Sequence, residues 1–185
     1  MRPKMFLAWA VAAAVAIGTA FAEEGRAGKT ETIRGTVYTA KDHAGITVVN
    51  VLGKDGTMYS VVLDQRGEEL GDQMASRRVE ITGVITQNGA KTIRVQGWSP
   101  ILAGKVEAVK NAAGNITLVK LVTPDGTYEV LLDSKGQELG NQMDGRSVDV
   151  VGTVRAQKGT TGLQQFVVKD FEERQEVIPK PEGCP

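Results

Sequence analysis

The stretch VVLDQRGEELGDQM, Val61–Met74, returns 69 positions later as VLLDSKGQELGNQM, Val130–Met143. A chain that repeats itself at this length must be built from two copies of one small unit, each closing its own core. The match extends outward from the repeated phrase. Gly35 falls on Gly104, Gly45 on Gly114, Asp55-Gly56 on Asp125-Gly126, Tyr59 on Tyr128, Val79 on Val148 and Gly83 on Gly152. The expected division is a first copy over residues 30–98, a second over 101–171, and a flexible C-terminal tail over 172–185, with SPIL leaving almost no linker between the copies.

Within each copy the hydrophobic period is two. Val79, Ile81 and Ile85 alternate with Glu80 and Thr82, and Val148, Val150 and Val154 alternate with Asp149 and Thr153; side chains alternate faces along a strand, so each series reads as a half-buried strand. GKDGT and TPDGT place Asp-Gly between apolar runs, which supplies the positive φ of a tight hairpin. In the repeated phrase, Leu70 and Met74 stand four apart, as do Leu139 and Met143. That spacing puts each pair on one face of a short helical turn. Gly71 and Gly140 each cost such a helix about 1 kcal/mol relative to Ala, so it is expected to be short or irregular.

The predicted order in each copy is strand, strand, strand, short helix, strand, strand. The fold class is therefore mainly β, as two tandem OB-like five-stranded Greek-key barrels, each with a short helical turn between its third and fourth strands to plug the open end. The rival is an SH3-like barrel, whose helical turn falls before the last strand. Outward-facing Val62, Val84, Leu131 and Val151 predict that the two barrels pack on one another through apolar side chains.

The chain opens with Arg2 and Lys4, continues through an uncharged run from Met5 to Ala22, and reaches Glu23 and Glu24 just after an Ala-x-Ala pattern at Ala20 and Ala22. This reads as a secretory signal peptide over residues 1–22, and so as a protein of the periplasm or a secreted one, without a stable membrane anchor after cleavage. A leader followed by small barrels with the pattern GTV…DGT-Y-V-L-D…V-x-V-x-G-x-V resembles the exported bacterial OB-fold-like families, most of them without an assigned function. The resemblance implies the fold and the compartment. It brings no site residues with it.

Charge and side-chain chemistry narrow the function further. Lys and Arg together number 22, as do Asp and Glu. A balanced chain lacks the basic footprint of a nucleic-acid or anionic-membrane binder, so the expectation is no nucleic-acid partner. The one cysteine, Cys184, leaves a Cys184-linked dimer open but no intrachain disulfide. The one histidine, His43, has no His/Cys cluster beside it, whereas a structural metal site needs three or four ligands. No nucleophile elbow or phosphate-binding glycine motif is present. No catalytic residues, metal ligands or cofactors are expected.

The candidate binding residues are Tyr38, His43, Val62, Trp98 and Leu131. The expected function is an exported, non-catalytic binding or structural module of the bacterial cell envelope, with an unknown protein or small ligand as partner. The alternative is a periplasmic metal- or redox-handling accessory protein using His43 or Cys184.

Overall fold

A computed structural model describes residues 28–174. The leader, Cys184 and the tail from residue 175 onward lie outside the described residues. The described chain is mainly β. Its elements are β1 (Lys29–Lys41), β2 (Thr47–Gly53), β3 (Met58–Val61), α1 (Gln65–Met74), β4 (Arg78–Asn88), β5 (Ala90–Lys110), β6 (Ile116–Thr123), β7 (Gly126–Val130), α2 (Ser134–Gln142), β8 (Ser147–Lys158) and β9 (Gln164–Glu173). The predicted order of strands and helices is present in both halves. Glu172 and Glu173, expected in the tail, belong to β9. Among the described residues no helix is long and apolar enough to cross a membrane.

The nine strands are hydrogen-bonded into one sheet, and in each half the pairings return to their starting strand. In the first half β1 pairs antiparallel with β2 and β4, β2 with β3, β4 with β5, and β3 runs parallel to β5. In the second half the C-terminal part of β5 takes the place of β1: it pairs with β6 and β8, while β7 runs parallel to β9. The parallel contacts that complete each circuit continue past the strand ends, with Val62 N–H donating to Ile93 O and Leu131 N–H to Phe166 O, both at 2.9 Å.

β5 is the joint. The segment Ser99–Ile101, read from the sequence as a short connection, lies inside this 21-residue strand. Pairing with β4 runs as far as Pro100, and pairing with β8 begins at Ile101. A proline cannot donate to a ladder. It stands where the strand leaves one partner for the next.

The repeated phrase forms the helices. Asp64 and Asp133 are N-caps, accepting from the Gly67 N–H at 3.1 Å and the Gly136 N–H at 2.9 Å. Leu70 and Leu139 are fully buried, each inside its half's apolar cluster. Gly71 and Gly140 do not break the helices. A Cβ on Gly71 would stand 2.6 Å from Val49 Cγ2, and one on Gly140 2.5 Å from Val119 Cγ2. The glycines let each helix lie directly on its second strand.

Salt bridges link the two halves. Buried Glu80 accepts from Arg34 Nε and from Lys169 Nζ, both at 2.8 Å. Arg34 also reaches Asp170, Lys54 pairs with Glu172, and Arg78 pairs with Asp149 at 2.6 Å. Burial would raise the Glu80 carboxyl, but hydrogen bonds from Lys169 and Arg34 outweigh it and hold the group below its ordinary range. Of the outward apolar residues expected to make the contact, only Val151 is buried; Val62, Val84 and Leu131 remain half-buried.

Candidate functional site

The outward side of the first three strands carries the same construction in both halves. In the first half a row of neighbours crosses four strands: Tyr38 on β1 opposes Asn50 on β2, Asn50 opposes Ser60 on β3, and Ser60 opposes Thr92 on β5. The matching row in the second half is Glu107, Lys120, Glu129 and Gln165. Each row alternates with buried residues such as Val37, Val51 and Val61. The pleat therefore turns all four members outward.

The two rows differ in what covers them. β8 and β9 are joined by Gly159–Leu163, and this loop folds down onto Glu129. The carboxylate accepts from Thr160 N–H at 2.8 Å and its hydroxyl at 3.0 Å, and from Thr161 N–H at 2.8 Å and its hydroxyl at 2.6 Å. Gly159 makes the approach possible, since a Cβ there would lie 2.1 Å from Glu129 Cδ. Glu129 is buried to 6% exposure. Burial alone would raise its carboxyl, yet the four hydrogen bonds from Thr161 and Thr160 outweigh it and lower the group to about 2. The second half has clasped one member of its row, leaving Glu107 exposed and Lys120 and Gln165 half-buried.

The first half has not. β4 and β5 turn through Gly89 alone, at φ +87°, with Asn88 and Ala90 still paired across the turn. Among the described residues no hydrogen bond runs from this turn to the row. Tyr38 is 45% exposed, and among the described residues the side chains of Asn50 and Ser60 bond only to each other, at 3.2 Å. Met58, 51% exposed, and half-buried Leu52 pair in the adjoining row. Arg94 lies two residues along β5 from Thr92, hence on the same side, exposed and 3.9 Å from the Asp64 carboxylate. What results is an uncharged strip with a phenol ring, an amide and two hydroxyls, bordered by one guanidinium.

Of the residues singled out from sequence, only Tyr38 stands in this row. His43 is exposed in the β1–β2 connection. Val62 and Leu131 follow directly on β3 and β7, where their backbone N–H groups extend the parallel contacts of each circuit. Trp98 packs against the first core and Phe171 against the second. Asn50, Ser60 and Thr92 escaped notice because small polar residues on a strand look like ordinary solvated positions. The one signal available for Glu129 and its loop was RAQKGTTG, longer than TQNGAK in the first copy.

No family model matches the chain, and no curated protein does. Solved structures similar to it include a deletion mutant of the single-stranded DNA binding protein from Thermus aquaticus, at 14% identity over 85% of this chain and 99% of that one, TM-score 0.28. The wild-type form of that protein matches at 13% identity over 86% and 98%, TM-score 0.25. The tetrameric p202 HIN2 matches at 10% identity over 80% and 95%, TM-score 0.33.

Two expectations from sequence are corrected. The comparisons return DNA-binding proteins in place of a cell-envelope module or a metal- or redox-handling accessory, and the exclusion of nucleic acid as a partner falls with them. The metal-handling alternative also lacks geometric support, since no group of three or more His, Cys, Asp or Glu among the described residues is placed to hold a metal ion.

Proposed function

We propose that this chain is a non-catalytic binding protein made of two OB-like barrels sharing β5, and that the first barrel holds a single-stranded oligonucleotide across its open face. The barrel reading rests on the strand circuit: first to second to third, third to fifth, fifth to fourth, fourth to first, with a helix between the third and fourth. One observation carries the ligand site. In the second half a loop clasps Glu129, one member of the row, whereas among the described residues the equivalent Ser60 in the first half bonds only to its neighbour Asn50. A position that the fold covers in one half and leaves accessible in the other is available for another molecule.

The row's chemistry suits bases better than phosphates. A base can stack on the Tyr38 ring while its edge meets the Asn50 amide and the Ser60 and Thr92 hydroxyls. With Arg94 as the bordering cation, few counterions are released on binding, so affinity is expected to vary weakly with salt. The leader, taken as an export signal, places this encounter outside the cytoplasm. Glu129, its carboxyl held at about 2 by the clasp, stays ionised near neutral pH and would not act as a general acid.

Fluorescence anisotropy with a labelled thymidine hexamer tests the reading. Saturable binding that weakens about tenfold in Tyr38→Ala is expected from the loss of one stacked base. Absence of binding, or binding indifferent to Tyr38→Ala, would overturn it. A neutral oligosaccharide is the second reading, favoured by the lack of any charge in the row itself. Competition of the hexamer by an uncharged hexasaccharide, with no dependence on salt, would select it.

A further inference from the structure

The first half carries another recess, lined by none of the row's residues. It lies where α1 meets the start of β2, measures about 320 Å³, and is bordered by Ile46, Val49, Leu63, Glu68, Gly71 and Asp72. A second hollow of about 410 Å³ shares Thr47, Gly71 and Asp72 with it and continues to Lys41. We propose that this recess is a binding site for a small organic cation with an apolar body, such as an arylalkylammonium.

The duplicate supplies the control. Its recess is of similar size, about 350 Å³, but is bordered by Asn115, Ile116, Gln137 and Asn141. Glu68 and Asp72, four apart on one helix face, correspond to the amides Gln137 and Asn141. The apolar pair Ile46 and Leu63 recurs as Ile116 and Leu132 but packs differently. Ile116 reaches over its helix, with Cδ1 3.0 Å from where a Gly140 Cβ would stand, and both Ile116 and Leu132 pack against the second core. In the first half Ile46 is 59% exposed and Leu63 39%, and the atoms nearest the Gly71 Cβ position belong to Val49 and Thr39.

Those four residues are not what the fold demands. Leu70, Gly71 and Met74 close the core in the first half, and Leu139, Gly140 and Met143 recur in the second. The carboxylates and the unpacked aliphatic side chains are peculiar to the first half. Among the described residues neither Glu68 nor Asp72 has a cation within salt-bridge distance. Two unpaired carboxylates beside exposed apolar side chains match a ligand that brings positive charge and hydrophobic surface together.

The probe is phenethylammonium, titrated into the full chain and followed by amide NMR shifts, with 2-phenylethanol as its neutral counterpart. Saturable shifts at Ile46, Leu63 and Asp72 are expected. Affinity should fall at least tenfold in the E68Q/D72N double variant, which installs the residues the second half already tolerates, and 2-phenylethanol should bind at least tenfold more weakly than the cation. Absence of saturable shifts at those residues, equal affinity in E68Q/D72N, or equal binding of 2-phenylethanol would each overturn the proposal. Melting of E68Q/D72N at the wild-type temperature shows that a loss of binding is not a loss of fold.

Discussion

The two halves share a strand circuit, a capped helix with a buried leucine, and a glycine that lets that helix touch its second strand. They part company in what stands on their outer faces. The second half uses a loop to bury Glu129 beneath two threonines; the first turns back through Gly89 and leaves Tyr38 exposed and Asn50 and Ser60 half-buried. A duplicated chain thus separates two demands that a single domain confounds. Residues common to both halves serve closure of the core, and residues that differ are free to serve recognition.

The common part should be costly to disturb in either half. Leu70→Ala and Leu139→Ala are each expected to cost about 2–5 kcal/mol, because each removes a fully buried side chain and leaves a cavity. Urea denaturation reads this directly. A loss in one half and none in the other would break the equivalence of the two helices.

The clasp on Glu129 is the next largest effect and belongs to one half alone. Gly159→Ala drives a Cβ into the carboxylate, so a loss of about 2 kcal/mol is expected, comparable to stranding a buried charged acceptor. The clasp also gives a pH signature. Its carboxyl is depressed from 4.5 to about 2 on folding, so its contribution is complete above the unfolded value and is lost as pH falls from 4.5 towards 2. Allowing for solvent screening, that contribution is about 2 kcal/mol. Acid titration of stability in Glu129→Gln should be flatter than in the wild type over this window. Parallel curves would mean that the loop does not hold the carboxylate in solution.

The joint between the halves ranks third. Arg34 ties Glu80 to Asp170, and Arg34→Met is expected to cost about 1–2 kcal/mol, since Lys169 still partners the buried Glu80. With β5 continuous and these bridges in place, thermal unfolding should be a single transition in the wild type. Two resolved transitions would show that the halves melt independently.

Much of this architecture was legible from the chain itself. The period of two, the Asp-Gly hairpins and the Leu-Met spacing each reflect a local rule, and the duplication let each be read twice. Pro100 was misread because a proline between two strand patterns ordinarily marks a break; its place at a change of partners depends on pairing with β4 and β8 that no local rule contains. The row proposed for binding was hidden for the same reason. Tyr38, Asn50, Ser60 and Thr92 are scattered through 55 positions of chain, and only strand register sets them side by side.

The smallest stability effect belongs to the face. Tyr38→Ala removes a half-exposed ring outside both cores and should change stability by less than about 0.5 kcal/mol. Its consequence should appear in binding instead. A larger loss of stability would make Tyr38 a packing residue and weaken the contrast between the halves.

The most direct test of that contrast is an amide NMR titration of the full chain with a thymidine hexamer, following both rows in the same spectrum. Saturable shifts are expected at Tyr38, Asn50, Ser60 and Thr92, with Glu107, Lys120, Glu129 and Gln165 unmoved and Thr160 and Thr161 still clasping Glu129. Shifts centred on the second row, or released Thr160 and Thr161 amides at saturation, would contradict the assignment of an open first face and a closed second one.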